Sequence, residues 1–218
     1  MPEKVNIPIS VFEYVADYTR PVISIWMDRA VLVQSMFDAF QRWKLDVNDI
    51  EPITTGKPSE QGIKIKLPGL RVSFFFGPSS CKLTRDGVDW TTTGETIEIL
   101  ATALNTLTKS GDVRLRNQKT VVALHIQPTT KTFVEILMPF LSPDIKTLRD
   151  GEIKTGASIV KWDSGKITLD GSGIVPNAIY LRFEHEFDVE TSFEEMADVI
   201  RKEENALFAL LGIEDDSQ

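Results

Sequence analysis

The sequence predicts an α+β fold made of two successive units, each running strand, helix, three or four strands, helix, with antiparallel sheet and the helices packed on one face. Three observations carry this. Gly62–Leu67, Leu70–Phe76 and Ser80–Arg85 are short β-type runs punctuated by Pro68-Gly69 and Gly77-Pro78-Ser79. An amphipathic helix follows from about Thr92. The same element order then recurs after Thr120, so the chain divides into units 1–116 and 117–218, packed as one body.

In the first unit, Pro8 breaks the alternation of Val5 to Phe12, which reads as an edge strand or an ordered arm, since prolines belong at sheet edges. Val22–Met27 reads as a strand. Asp28 offers a helix cap, and Leu32, Met36, Phe40 and Trp43 trace the apolar stripe of the helix behind it. Lys44 to Gln61 is polar, with Pro52, Gly56 and Pro58, and reads as a loop or a short edge strand around Ile50–Ile53, the segment expected to be mobile. In the meander that follows, Ile63, Ile65 and Leu67 alternate with Lys64 and Lys66, and Val72, Phe74 and Phe76 with Arg71 and Ser73; Phe75 breaks the polar face. Thr92 and Glu95 have the spacing of a reciprocal cap for a helix burying Ile97, Leu100, Ala101, Leu104 and Leu107, and Gly111 suits its end.

The second unit opens with Thr120–Gln127, apolar on both faces, and a helix from about Lys131 to Met138. Ile153–Trp162 and Lys166–Leu169 form a hairpin through Asp163-Ser164-Gly165. Ile179, Leu181, Phe183, His185 and Phe187 alternate with polar residues in a long strand. The last helix starts at Thr191 or Ser192, with Glu194 and Glu195 at its first turn, and stops at Gly212, leaving Glu214–Gln218 as a frayed tail. This order resembles, at fold level only, the TATA-binding-protein-like and helix-grip architectures, and such a likeness transfers no function.

Composition bounds the function. Residues 1–116 carry 14 Lys/Arg and 14 Asp/Glu, and 117–218 carry 10 and 18, so the net charge of −8 lies in the second half. Clustered phosphate-neutralising cations are absent, which argues against nucleic acid. No apolar run approaches the length of a membrane span. The lone Cys81 and a start without the features of a secretory signal point to the cytoplasm.

No phosphate loop, Cys-x-x-Cys, His-Glu-x-x-His or Gly-x-Ser-x-Gly motif occurs, and no cofactor, metal or catalytic residue is expected. The candidates for binding are Phe75, Trp162, His125 and His185. Phe75 and Trp162 are ordinary core aromatics unless the sheet face that carries them is open. His125 and His185 read as buried neutral imidazoles unless they line a cavity. In Glu184-His185-Glu186 the strand period turns both glutamates away from the imidazole, so one ion cannot collect all three. Asp170-Gly171-Ser172-Gly173 has turn composition, and Cys81 lies on an apolar strand face as packing. The expectation is a non-catalytic binding protein that uses an open sheet face, or the groove between sheet and helix, for a protein or a small apolar ligand. The alternative is a helix-grip enzyme with a histidine-lined pocket. Oligomeric state is left open.

Overall fold

The computed structural model describes residues 2–23, 29–54, 56–111, 113–140 and 158–215. Among them, β1 (Glu3–Tyr18), α1 (Arg29–Ala39), β2 (Ile50–Ile53), β3 (Gly62–Leu67), β4 (Val72–Phe76), β5 (Ser80–Asp86) and α2 (Thr93–Gly111) come first. They are followed by β6 (Leu115–Pro128), α3 (Phe133–Leu137), β7 (Ser158–Trp162), β8 (Gly165–Gly171), β9 (Ile179–Phe187), α4 (Phe193–Leu211) and β10 (Ile213–Asp215). Hydrogen-bonded neighbours run β2-β3-β4-β5-β1-β6-β9-β8-β7 in an open, antiparallel sheet, and the short β10 adds in parallel to Glu3–Val5 of β1.

The chain forms two compact bodies that interleave in sequence, 11–120 with 186–196, and 1–10 with 121–185 and 197–218. In the β2–β5 body the pleat sends Ile63, Ile65, Leu67, Val72, Phe74, Phe76 and Leu83 to one face, where they join Leu32 and Met36 of α1 and Ile99, Leu100 and Leu107 of α2 in one core. Phe74 stacks between Phe76, at 5.7 Å, and Phe40, at 5.3 Å. Arg85 ends the inward row of β5 without a solvent path, and its guanidinium donates to Glu95 Oε2 and Thr96 Oγ1, both at 2.7 Å. Glu95 therefore does not form the expected cap with Thr92. Asp89 does that work one turn earlier, accepting from the Thr92 N–H at 3.0 Å.

In the β7–β9 body, Ile179, Leu181 and Phe183 of β9 are buried, as are Ile200, Leu207, Phe208 and Leu211 of α4. Glu3 is buried as well, and its carboxylate accepts from the Thr130 hydroxyl and N–H, each at 2.7 Å, and from the Lys131 N–H at 3.1 Å. These bonds, the Thr130 hydroxyl foremost, hold its pKa down to about 2.

Several expectations need correction. The first residues are neither edge nor arm: β1 lies inside the sheet between β5 and β6. Its buried set changes from odd positions (Glu3, Val5) to even ones (Ser10, Tyr14, Ala16, Tyr18) across Pro8. Val22 and Ile23 are not strand, and the rest of that expected strand, with the Asp28 cap, lies outside the described residues. Glu214 and Asp215 of the expected frayed tail are ordered, because β10 pairs beyond the Gly212 stop (φ 65°) and Glu214 meets Lys4 at 3.6 Å; residues 216–218 lie outside the described residues. Residues 153–157 of the expected hairpin also lie outside the described residues; the rest pairs with β8 as expected.

Candidate functional site

A concavity lies within the β2–β5 body, between a helix and the sheet edge. Ala30, Val33 and Phe37 share one face of α1, at the i, i+3, i+7 spacing. Opposite them stand Ile50 and Pro52 of β2, with Ile63 of β3 as floor, and the recess, open on one side, has a volume of about 470 Å³. That size suits a small ligand. Arg29, Gln34 and Val47 complete the lining.

The strand bordering the groove is poorly equipped to hold a peptide. Pro52 pairs with Ile63, so its nitrogen, which can make no ladder bond, turns to the open edge. Ile50 shares that edge by the two-residue period, and its N–H is already taken by the Val47 carbonyl. The edge thus presents no free N–H donor from Ile50 or Pro52, whereas strand addition depends on main-chain hydrogen bonds.

Phe75 lies on the face of β4 opposite the core. It is half-buried, pairs laterally with Lys64 and Lys82, and folds its ring across Gly77. Lys82 is ion-paired with Glu13, and Lys66 with Glu51 at 3.3 Å. This is one aromatic ring in a field of paired charges, and a single surface aromatic needs no partner to explain it.

Trp162 and His185 fall in one row across β7, β8 and β9, with Gly165 between them. The Trp162 ring covers Gly165, where a side chain would collide with it. His185 Nδ1 meets Glu203 Oε1 of α4 at 2.8 Å, which places this row on the helix side of β9. Glu184, its neighbour in sequence, turns the other way to Lys166 at 3.3 Å and Arg182 at 3.2 Å, so the Glu-His-Glu string is divided between two faces as the strand period requires. No metal-holding group of three or more His, Cys, Asp or Glu occurs among the described residues.

His125 belongs to the other face. Its ring lies 5.1 Å from that of Tyr180, a β9 residue of opposite parity to His185. The two imidazoles are therefore on opposite sides of the strand layer and share no common point. His125 Nδ1 is 2.8 Å from Ser172 Oγ, and that oxygen also accepts the N–H groups of Val175 at 2.9 Å and Ile174 at 3.3 Å. With both lone pairs occupied, the serine donates its own proton to Nδ1, so His125 carries its hydrogen on Nε2. Burial pushes the His125 pKa down, which favours this neutral form. A serine beside a histidine suggests a nucleophile and its base. Here the lone pairs a nucleophile would need are spent on the turn, and the arrangement ties the β8–β9 loop to β6. Burial also pushes the Cys81 thiol up to about 12, which leaves it inert.

Sequence reasoning named the sheet–helix groove as a class of site but none of its residues. The clearest available signal was Pro52 in an edge strand. The sequence matches no model of a known protein family and no curated protein.

Proposed function

We propose that this is a non-catalytic binding protein whose groove between α1 and β2–β3 takes a small, largely apolar ligand. The observation that carries the reading is the concavity itself, an apolar recess of about 470 Å³ beside a strand edge with no donors to offer from Ile50 or Pro52. A small molecule needs the recess alone; an extended peptide would need the edge. The enzyme alternative required both histidines at one point, and the opposite faces of His125 and His185 weigh against it.

The same proposal includes the layout of two related units. The strand order reads alike from both ends, β2-β3-β4-β5-β1 and β7-β8-β9-β6, which supports the TATA-binding-protein-like arrangement by analogy. Balanced charge in the first half and excess acid in the second speak against duplex DNA on that sheet. An intracellular location belongs to the proposal too, supported by the buried free Cys81.

The test is fluorescence titration with the neutral probe N-phenyl-1-naphthylamine. Saturable binding is expected in the wild type and its loss in Ala30→Trp, which fills the groove from an exposed helix position. Absence of saturable binding, or equal binding by an Ala30→Trp protein with unchanged melting, would overturn the reading.

A further inference from the structure

We infer that β7 is a pairing edge for a second copy of this chain, which lies antiparallel to it across a two-fold axis at Val160. β7 ends the strand order, with β8 as its neighbour among the described residues. Trp162 and Gly165 close a two-residue turn, and the closing pair of such a hairpin exchanges both of its main-chain bonds. By the two-residue period Val160 does the same with Ile167. Ile159 and Lys161 therefore direct their N–H and C=O groups to the open side, four main-chain groups along one edge.

The side chains of this edge are apolar and exposed on both faces, Ile159 at 59% on one, Val160 at 58% and Trp162 at 37% on the other. An edge strand that stays single is blunted by proline, by a bulge or by charge. The opposite end of the strand order has that protection, since Pro52 and Ile50 of β2 offer no free N–H. β7 contains no proline and one charged residue, Lys161.

The symmetry of the edge identifies the occupant. With Val160 opposite Val160 of the other copy, Ile159 of each strand stands opposite Lys161 of the other, and their N–H and C=O groups make four hydrogen bonds. Ser158 then meets Trp162, so β7 is matched along its whole length. A shift that centres the axis on Lys161 sets like charges opposite each other, which destabilises a strand pair. The reverse shift, centred on Ile159, carries Lys161 past Ser158, where β7 begins. A foreign strand could use the same four groups, but Ser158–Trp162 itself supplies a partner whose length, polarity and charge placement match them. Because β2 lacks the donors to receive β7, pairing closes at two copies and does not run on as a filament. Five residues a side make a small interface, and the dissociation constant expected is on the order of 10–100 μM.

The experiment is sedimentation velocity of the full chain over a concentration series spanning that range. A monomer–dimer equilibrium is expected. Ile159→Pro removes an outward N–H that the hairpin does not use, and should weaken the dimer at least about tenfold while leaving the melting of the monomer unchanged. Ile159→Glu and Ile159→Lys test the register, because each sets the new charge opposite Lys161 of the other copy. The Glu variant should dimerise about tenfold more tightly than the Lys variant at low salt, and the gap should close as salt rises. Val160→Cys should cross-link to its own copy under mild oxidation, while the buried Cys81 stays reduced. A chain that is monomeric throughout the series, a dimer that Ile159→Pro leaves intact, or masses that climb past two copies would overturn the inference. So would equal dimerisation of the Glu and Lys variants, a pair that keeps the test decisive if Ile159→Pro does not fold.

Discussion

The strand faces turned away from the helices differ between the two bodies. In the β2–β5 body that face is a lawn of paired charges around the half-buried Phe75. In the β7–β9 body it is pinned under the β8–β9 loop, through Ser172 on His125 and the Pro176 carbonyl on the Gln127 amide at 3.1 Å. The difference accords with β6 being apolar on both sides while β3 and β5 are not: Val121 and His125 are buried, whereas Lys64 and Lys82 are half-buried. Apolarity on both faces of a strand thus marks covered sheet and is no signature of a ligand surface.

The largest expected effect separates the two sides of a single strand. Phe74→Ala should cost about 3–5 kcal/mol in denaturant unfolding, because its stacked, fully buried ring leaves a cavity. Phe75→Ala, one residue on, should cost less than about 1 kcal/mol. A Phe75 loss as large as that of Phe74 would mean that its face is covered, and the contrast between the two bodies would collapse.

An intermediate effect tests the loop cover. His125→Ala should cost about 1–3 kcal/mol, since it strands the Ser172 hydroxyl proton. The same contact predicts a pH response. The folded pKa of His125 lies below its usual 6.5, so the stability it contributes is complete above 6.5 and is lost as pH falls through the folded value. Glu3 titrates in a separate window. Its carboxyl is lowered from 4.5 to about 2, so its contribution holds above 4.5 and disappears as pH drops toward 2. Melting curves of His125→Ala should lose the first decline and those of Glu3→Gln the second; if either variant keeps the wild-type profile, its assignment is wrong.

The smallest effect belongs to the charged lawn. Lys82→Ala breaks a half-exposed pair with Glu13 and should change stability by no more than about 1 kcal/mol.

Much of this architecture could be read from the chain. The bounds of β3, the alternation of β9 and the stop at Gly212 follow from local pattern, because each is set by neighbours a few residues away, whereas Ile50–Ile53 reads equally as loop or edge strand. The central place of β1 was hidden by Pro8, whose phase change makes an interior strand look like a broken edge. β10 was hidden because its partner, Glu3–Val5, lies some two hundred residues earlier, and three residues leave no periodic trace. Glu95 was assigned to a cap because its spacing from Thr92 fits one; a long-range partner, Arg85, takes it instead. The groove was invisible for a similar reason. Its walls come from a helix and from an edge strand within a stretch that reads as a mobile loop, and nothing local says that Phe37 and Pro52 border the same space.

The central claim is that ligand enters the groove and not the open sheet face, and residue-resolved NMR mapping tests it most directly. On titration with 1-anilinonaphthalene-8-sulfonate, the account predicts shifts concentrated at Ala30, Val33, Phe37, Ile50 and Ile63, with Ser73, Phe75 and Thr84 unmoved. Shifts centred on Phe75 and its lateral neighbours Lys64 and Lys82, with the α1 residues still, would contradict it.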